Sequence, residues 1–271
     1  MPELPEVETL RRALLPLVVN KTCTVIKFFR KDIRFTIPQA TLRNQFANQR
    51  VSQIQRKGKY LLLKVPTGAM LWHLGMSGRV SMQTSITPRE KHTHAIFQFG
   101  AEIFLHFIDP RRFGCILWVP QSGEHPLLDK MGPDPFSPDT NARAMKILSK
   151  NCQSPIKTFI MDARRIAGIG NIYACESLYR AGINPKRKAG RVSLKKWDQL
   201  ISCIRTTLEN SISVGGTTLR DFFDPSGSKG YYAVKLCVYG KEGEPCQKCE
   251  SKISRIVHSG RSTFYCKTCQ K

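Results

Sequence analysis

The stretch 246–269, CQKCESKISRIVHSGRSTFYCKTC, is the most decisive in the chain. Cys246-x2-Cys249 and Cys266-x2-Cys269 are separated by 16 residues, the spacing of two knuckles on a zinc ribbon. Each CxxC turn aims two thiolates at one point. Four thiolates close a tetrahedral Zn2+ site and leave no open position for water, so a metal held there is structural. It takes the place of a core that a hairpin of roughly 35 residues could not bury alone. Four free thiols or disulfides are the alternative, but two correctly spaced pairs favour zinc. Arg255, His258 and Arg261 fall between the knuckles, as a solvated basic loop or as phosphate contacts.

Upstream, the periodicity changes twice. From Glu6 to about Leu17, apolar Val7, Leu10, Leu14 and Leu17 recur at helical spacing. From about Cys23 to Val119 the runs shorten to strands: Thr24–Phe29, Tyr60–Val65, Ala69–His73, Ala95–Phe99, Ile103–Phe107 and Cys115–Val119. Many short strands in one stretch predict a β-sandwich or barrel. Gly132–Asp139 (GPDPFSPD) reads as a linker. Beyond it, Asn141–Lys150, Pro155–Met161, Asn171–Arg180 and Ser193–Ser211 read as helices, with Asn171 as a cap and Gly182 and Pro185 as a stop. Gly215–Gly230 reads as a flexible loop.

Lys and Arg number 43 against 20 Asp and Glu, a formal charge of +23. A polyanion is the natural partner of such a surface. No apolar run is long enough to span a bilayer, and the glutamates by position 6 do not suit a signal peptide. A soluble cytoplasmic protein, monomeric and without an obligate protein partner, is the expectation. The six cysteines outside the terminal cluster are expected as apolar fillers, without disulfides.

The chain starts MPELPE. Removal of Met1 is expected before a small residue and leaves Pro2 with a free secondary amine. An α-amine has a pKa of about 7.7–8.0, against about 10.4 for lysine, so much more of it is unprotonated at neutral pH. It can attack an electrophilic carbon and form an iminium. Glu3 and Glu6 lie close enough in sequence to serve as acid or base. A frayed terminus with a capping glutamate accounts for the same residues.

MPELPEVET, GKYLLL, HLGMSG, DPRRFG, GIGNIYACESL, GGTTLRDF and the terminal cysteine pairs occur in one order between residues 1 and 269. As an ordered set they resemble the formamidopyrimidine-DNA glycosylase family. The resemblance implies an α+β multidomain chain. Residues 1–131 would form an N-terminal β-sandwich with flanking helices, and 132–150 a linker and first helix. Residues 151–235 would be a helix-two-turn-helix domain with a lesion loop, and 236–271 a zinc hairpin. It implies damaged double-stranded DNA as partner, bound between two lobes with the lesion nucleotide flipped out.

It also implies roles. Pro2 attacks C1′, Glu3 is the general acid at the sugar, Lys59 of GKY takes part in catalysis and Arg261 acts in δ-elimination. Lys57, two residues before Lys59, is read as a solvated base. Met76, Arg111 and Phe113 fill the gap left by the extruded base. Asn171 binds phosphate, and His73, His92, Arg112 and Lys157 are further DNA contacts. Gly215–Gly230 resembles the loop that closes over the purine. Two positions depart from the pattern: Cys152 stands where a basic residue is common, and Cys175 where a small polar one is. Endonuclease VIII-like enzymes, which prefer oxidised pyrimidines, are the nearest alternative, but they start PEGPE and lack the RRF and GGTTLRDF features. A non-enzymatic zinc-containing DNA-binding protein would share the charge and the ribbon.

Overall fold

The computed structural model describes residues 2–84, 89–215 and 236–271. The chain divides into two compact units, one running to Asp129, the other holding Lys130–Val214 and the C-terminal segment.

The first unit opens with helix α1 (Leu4–Val18). Strands β1 (Cys23–Phe28), β2 (Gln53–Lys57), β3 (Tyr60–Val65), β4 (Gly68–His73), β5 (Arg79–Gln83), β6 (Thr93–Phe99), β7 (Ile103–Ile108) and β8 (Cys115–Pro120) follow, with α2 (Gln39–Gln45) between β1 and β2 and α3 (Pro126–Asp129) after β8. They form two four-stranded antiparallel sheets, ordered β1-β6-β7-β5 and β2-β3-β4-β8. Alternate residues of each sheet face a shared core. Leu61, Leu63, Met70 and Trp72 come from one, and Phe97, Phe99, Leu105 and Phe107 from the other. Trp72 packs on Phe97 and Phe107 with ring centroids 5.2 and 6.0 Å apart. Helix α1 adds Val7, Leu10, Leu14 and Val18, spaced to share one face. Each such side chain contributes about 1.5–3 kcal/mol of burial, so register in this sandwich is strongly fixed.

In the second unit, α4 (Ala142–Leu148) is capped by Asn141, whose Oδ1 accepts from the Ala144 amide at 3.0 Å. Then come α5 (Ile156–Met161), α6 (Asn171–Arg180) and α7 (Leu194–Ser213), the last capped by Ser193. Strands β9 (Ser254–His258) and β10 (Arg261–Tyr265) make the terminal hairpin. Gly132–Asp139 is not a loose linker. Arg205 of α7 donates to the carbonyls of Pro135, Ser137 and Thr140 at 2.9, 3.0 and 2.9 Å. Asn171 is not a cap either: Gly170 holds that position and Asn171 is the first helical residue. Gly215–Gly230 lies outside the described residues except for its first glycine. Among the described residues, no helix is long and apolar enough to cross a membrane.

Candidate active site and nucleic-acid interface

Pro2 precedes α1 directly and is half-buried. Glu3 is the N-cap of the helix and Glu6 its third residue. The Glu3 amide donates to Glu6 Oε2 at 2.8 Å, and the Glu3 carboxylate accepts from the Glu6 amide. This reciprocal capping box satisfies two helix-end donors. It also buries both carboxylates one and four residues from the proline. The pairing explains why two glutamates stand three apart.

Five residues along α1 from Glu3, Glu8 ties the helix to the β2–β3 turn. Its carboxylate accepts from Arg11 at 2.8 Å, Arg12 at 3.0 Å and Arg56 at 3.0 Å. Arg56 also donates to the carbonyl of Gly58, the residue before Lys59. Burial opposes the Glu8 charge, but the guanidinium hydrogen bonds prevail and hold its pKa down at about 2. Arg12 is exposed and adds little; Arg56 and Arg11 carry the interaction. The folded-state pKa lies below the unfolded one, so this stabilisation is present above about pH 4.5 and is lost as pH falls through about 2. Glu8→Gln is expected to cost about 1–2 kcal/mol near neutral pH, after allowance for solvent screening. Denaturant melts across pH should show that difference shrinking towards pH 2.

Lys59 occupies the two-residue β2–β3 turn with Gly58, whose φ is 59°. Across the ladder Tyr60 pairs with His73, their rings 4.7 Å apart. Burial, then the charges of Arg34 and Lys59, hold the His73 pKa down at about 4. Its Nδ1 accepts from the Gly75 amide at 3.0 Å. The ring is therefore neutral at physiological pH, with its proton on Nε2, and can donate to an anion there. Lys57 is exposed.

Met76 and Phe113 are 41% and 44% exposed. The Arg111 guanidinium lies over the Phe113 ring, 4.9 Å from its centroid. Arg112 and His92 are exposed and adopt left-handed backbone at φ 57° and 68°.

In the second unit, Arg261 starts β10 after a turn in which Ser259 and Gly260 both have positive φ, as a tight two-residue hairpin requires. Arg261 is exposed. The next residue is pinned. The Ser262 carbonyl accepts from Asn171 Nδ2 at 2.9 Å and from Lys157 Nζ at 3.2 Å, and Lys157 also donates to Thr263 Oγ1 at 2.6 Å. Lys157 is thus buried, and Asn171 is engaged with the hairpin. Their partners lie 105 and 91 residues away in sequence, which no local pattern reveals.

The sulfurs of Cys246, Cys249, Cys266 and Cys269 all lie within 4.8 Å of one another, with Cys246–Cys269 at 3.8 Å and Cys249–Cys266 at 3.5 Å. A tetrahedron with Zn–S of about 2.3 Å has edges of about 3.8 Å, so the set fits a zinc ion. Tyr179 of α6 contacts Cys246 Sγ at 3.2 Å. Glu176, one turn earlier, accepts from the amides of Cys237, Val238 and Tyr239, each at 2.9 Å, and so anchors the entry to the knuckle. The sequence offered no signal for that role. Cys175 is buried in the same cluster, and Cys152 is half-buried.

A sandwich carrying a proline–glutamate terminus, exposed arginine–aromatic turns and a separate zinc-knuckle hairpin defines a class of basic, DNA-processing enzyme. Family models agree along the chain. Residues 1–116 match the formamidopyrimidine-DNA glycosylase N-terminal domain, 131–223 its H2TH domain, and 243–271 a zinc finger found in FPG and IleRS. The formamidopyrimidine-DNA glycosylase of Marinobacter nauticus is 44% identical over 271 residues, and that of Stenotrophomonas maltophilia 40%, each alignment covering both chains completely. Among solved structures, a Lactococcus lactis Fpg complexed with abasic-site DNA superposes with a TM-score of 0.90 at 29% identity, over 100% of both chains. MutM of Thermus thermophilus gives 0.85 at 36%, over 99% of this chain and 98% of that one. The chain belongs to the formamidopyrimidine-DNA glycosylase family. It is a bifunctional DNA glycosylase and AP lyase acting on oxidised purines in damaged double-stranded DNA, with a structural zinc ion in its terminal hairpin.

Proposed function

We propose that Pro2, freed of Met1, is the nucleophile, and that Glu3, Glu6, Lys59 and Arg261 divide the remaining proton and phosphate work. The capping box carries this reading: it buries two carboxylates within four residues of the secondary amine that Pro2 presents once Met1 is removed. The amine lone pair attacks C1′, the bond from C1′ to the base breaks, and the base departs with a proton. Glu3 then protonates O4′ as the C1′–O4′ bond breaks, with Glu6 fixing its position. The resulting iminium acidifies C2′–H. Loss of that proton expels the 3′ phosphate, and a second elimination expels the 5′ phosphate. Lys59 and Arg261 are the cations for these steps. Neutral His73, with His92 and Arg112, contacts phosphates. Met76, Arg111 and Phe113 fill the vacated stack, an insertion that offsets part of the few kcal/mol of unstacking. Lys157 and Asn171 hold the strand that begins at Arg261, and the second N–H of Asn171 Nδ2 remains a donor for a phosphate. The protein works as a cytoplasmic monomer. In a borohydride test, an 8-oxoguanine:cytosine duplex should give a covalent adduct mapping to Pro2, while a thymine glycol duplex should give much less. An adduct on a lysine would overturn the assignment.

The zinc hairpin carries Arg255, His258 and Arg261, so removing the metal should disturb DNA contact before it disturbs the sandwich. Chelation or Cys246→Ser is expected to weaken binding to lesion DNA about tenfold or more in anisotropy titrations, with far-UV ellipticity largely kept. Full affinity in zinc-free protein would refute the phosphate role of the hairpin.

A further inference from the structure

Asp109 is a carboxyl group sealed beneath the turns that carry Met76 and Phe113 in a strongly basic protein. It is fully buried. One carboxylate oxygen, Oδ1, accepts from Ser77 Oγ at 2.8 Å, and the other, Oδ2, accepts from the Gly114 amide at 2.7 Å. Ser77 Oγ in turn accepts from the Arg111 amide at 3.2 Å. The Asp109 carbonyl accepts from the Arg112 amide at 3.2 Å, and its own amide donates to the His92 carbonyl at 3.1 Å. The Asp109 carbonyl also lies 2.8 Å from His94 Nε2, so its bonded neighbours are the residue after Met76, the residue after Phe113, Arg112, His92 and His94. The turns also touch backbone to backbone: a Cβ on Gly75, where φ is 63°, would lie 2.3 Å from the Phe113 carbonyl carbon.

A buried carboxylate is costly unless its oxygens are satisfied. Here the donors come from two different turns, so the charge binds those turns to each other. What the two turns expose is Met76, Phe113 and the Arg111 guanidinium stacked on the Phe113 ring. Side chains on separate loops would lose conformational entropy on entering a base stack; tips held in advance lose less.

We propose that Asp109 and Ser77 form a latch that locks the Met76 turn and the Arg111–Phe113 turn into one rigid wedge, which makes them positioning residues for extrusion of the lesion nucleotide. This rests on the wedge reading of Met76, Arg111 and Phe113 given above. The latch acts on duplex opening, not on the covalent chemistry. Its signature is therefore a change in the ratio between excision from an 8-oxoguanine:cytosine duplex and cleavage of a single strand that already holds an abasic site.

Asp109→Asn and Ser77→Ala are each expected to lower that ratio roughly 10–100-fold, the scale of a lost charge-assisted hydrogen bond. A 2-aminopurine placed beside the lesion should also brighten more slowly on mixing. Ser77→Thr keeps the hydroxyl and should restore most of the ratio. Ser77→Ala leaves the buried charge in place and tests the latch even if Asp109→Asn does not fold. Phe113→Ala and Met76→Ala separate the two ideas. If they leave the ratio unchanged, the wedge reading itself fails. If they lower it while folded Asp109→Asn and Ser77→Ala match the wild type, the wedge stands and the latch is wrong.

Discussion

Pro2→Gly is expected to lose most borohydride-trapped adduct and to slow strand cleavage at an 8-oxoguanine duplex about a hundredfold or more. Glycine keeps an α-amine at the mature terminus, so a nitrogen of similar basicity remains. The ring is what is lost. The pyrrolidine ring ties the nitrogen back to the side chain and so fixes the direction of its lone pair just ahead of the Glu3 cap, whereas a glycine amine turns freely about its N–Cα bond. A near-attack geometry is worth many kcal/mol in a bimolecular step, and an amine that samples many directions forfeits much of it. Stability should hardly change, because α1 is secured by the capping box and by Leu4, Val7, Leu10 and Leu14. Wild-type trapping with the adduct still at the first residue would show that the ring is dispensable, and an adduct mapped to a lysine would show that another amine does the chemistry.

Glu3→Gln is expected to slow base excision about 10²–10⁴-fold, the range of general acid–base catalysis. Glutamine still accepts a hydrogen bond from the Glu6 amide, so the cap and the melting temperature should survive. It cannot deliver a proton. Cleavage of a preformed abasic site, which has no base to expel, should suffer much less. Single-turnover rates on the two substrates give that contrast directly. Equal losses on both would assign Glu3 to a step common to them, such as placing Pro2.

The elements legible from sequence are those whose residues carry their own signal. YLLLKV at 60–65 and the helix at 171–180 match the reading residue for residue. The first has a dense apolar run; the second is bounded by glycines at 170 and 182. β2, QIQRK, holds one apolar residue and sits at a sheet edge, so it had no pattern to find. Cysteine spacing revealed the metal site because the ligands are close in sequence. Asp109, Arg56 and Glu176 were not singled out, since their work depends on partners brought near by the fold. Lys157 was read as a DNA contact, and its bonds to Ser262 and Thr263 were out of sight for the same reason.

Intact-mass spectrometry of the enzyme while it cleaves lesion DNA bears most directly on the identity of the nucleophile. The expected spectrum contains active protein beginning at Pro2, plus a reducible species in which that proline carries the sugar remnant. Fully active protein that still begins at Met1 would have no free secondary amine to offer, and Schiff-base chemistry at Pro2 would have to be abandoned.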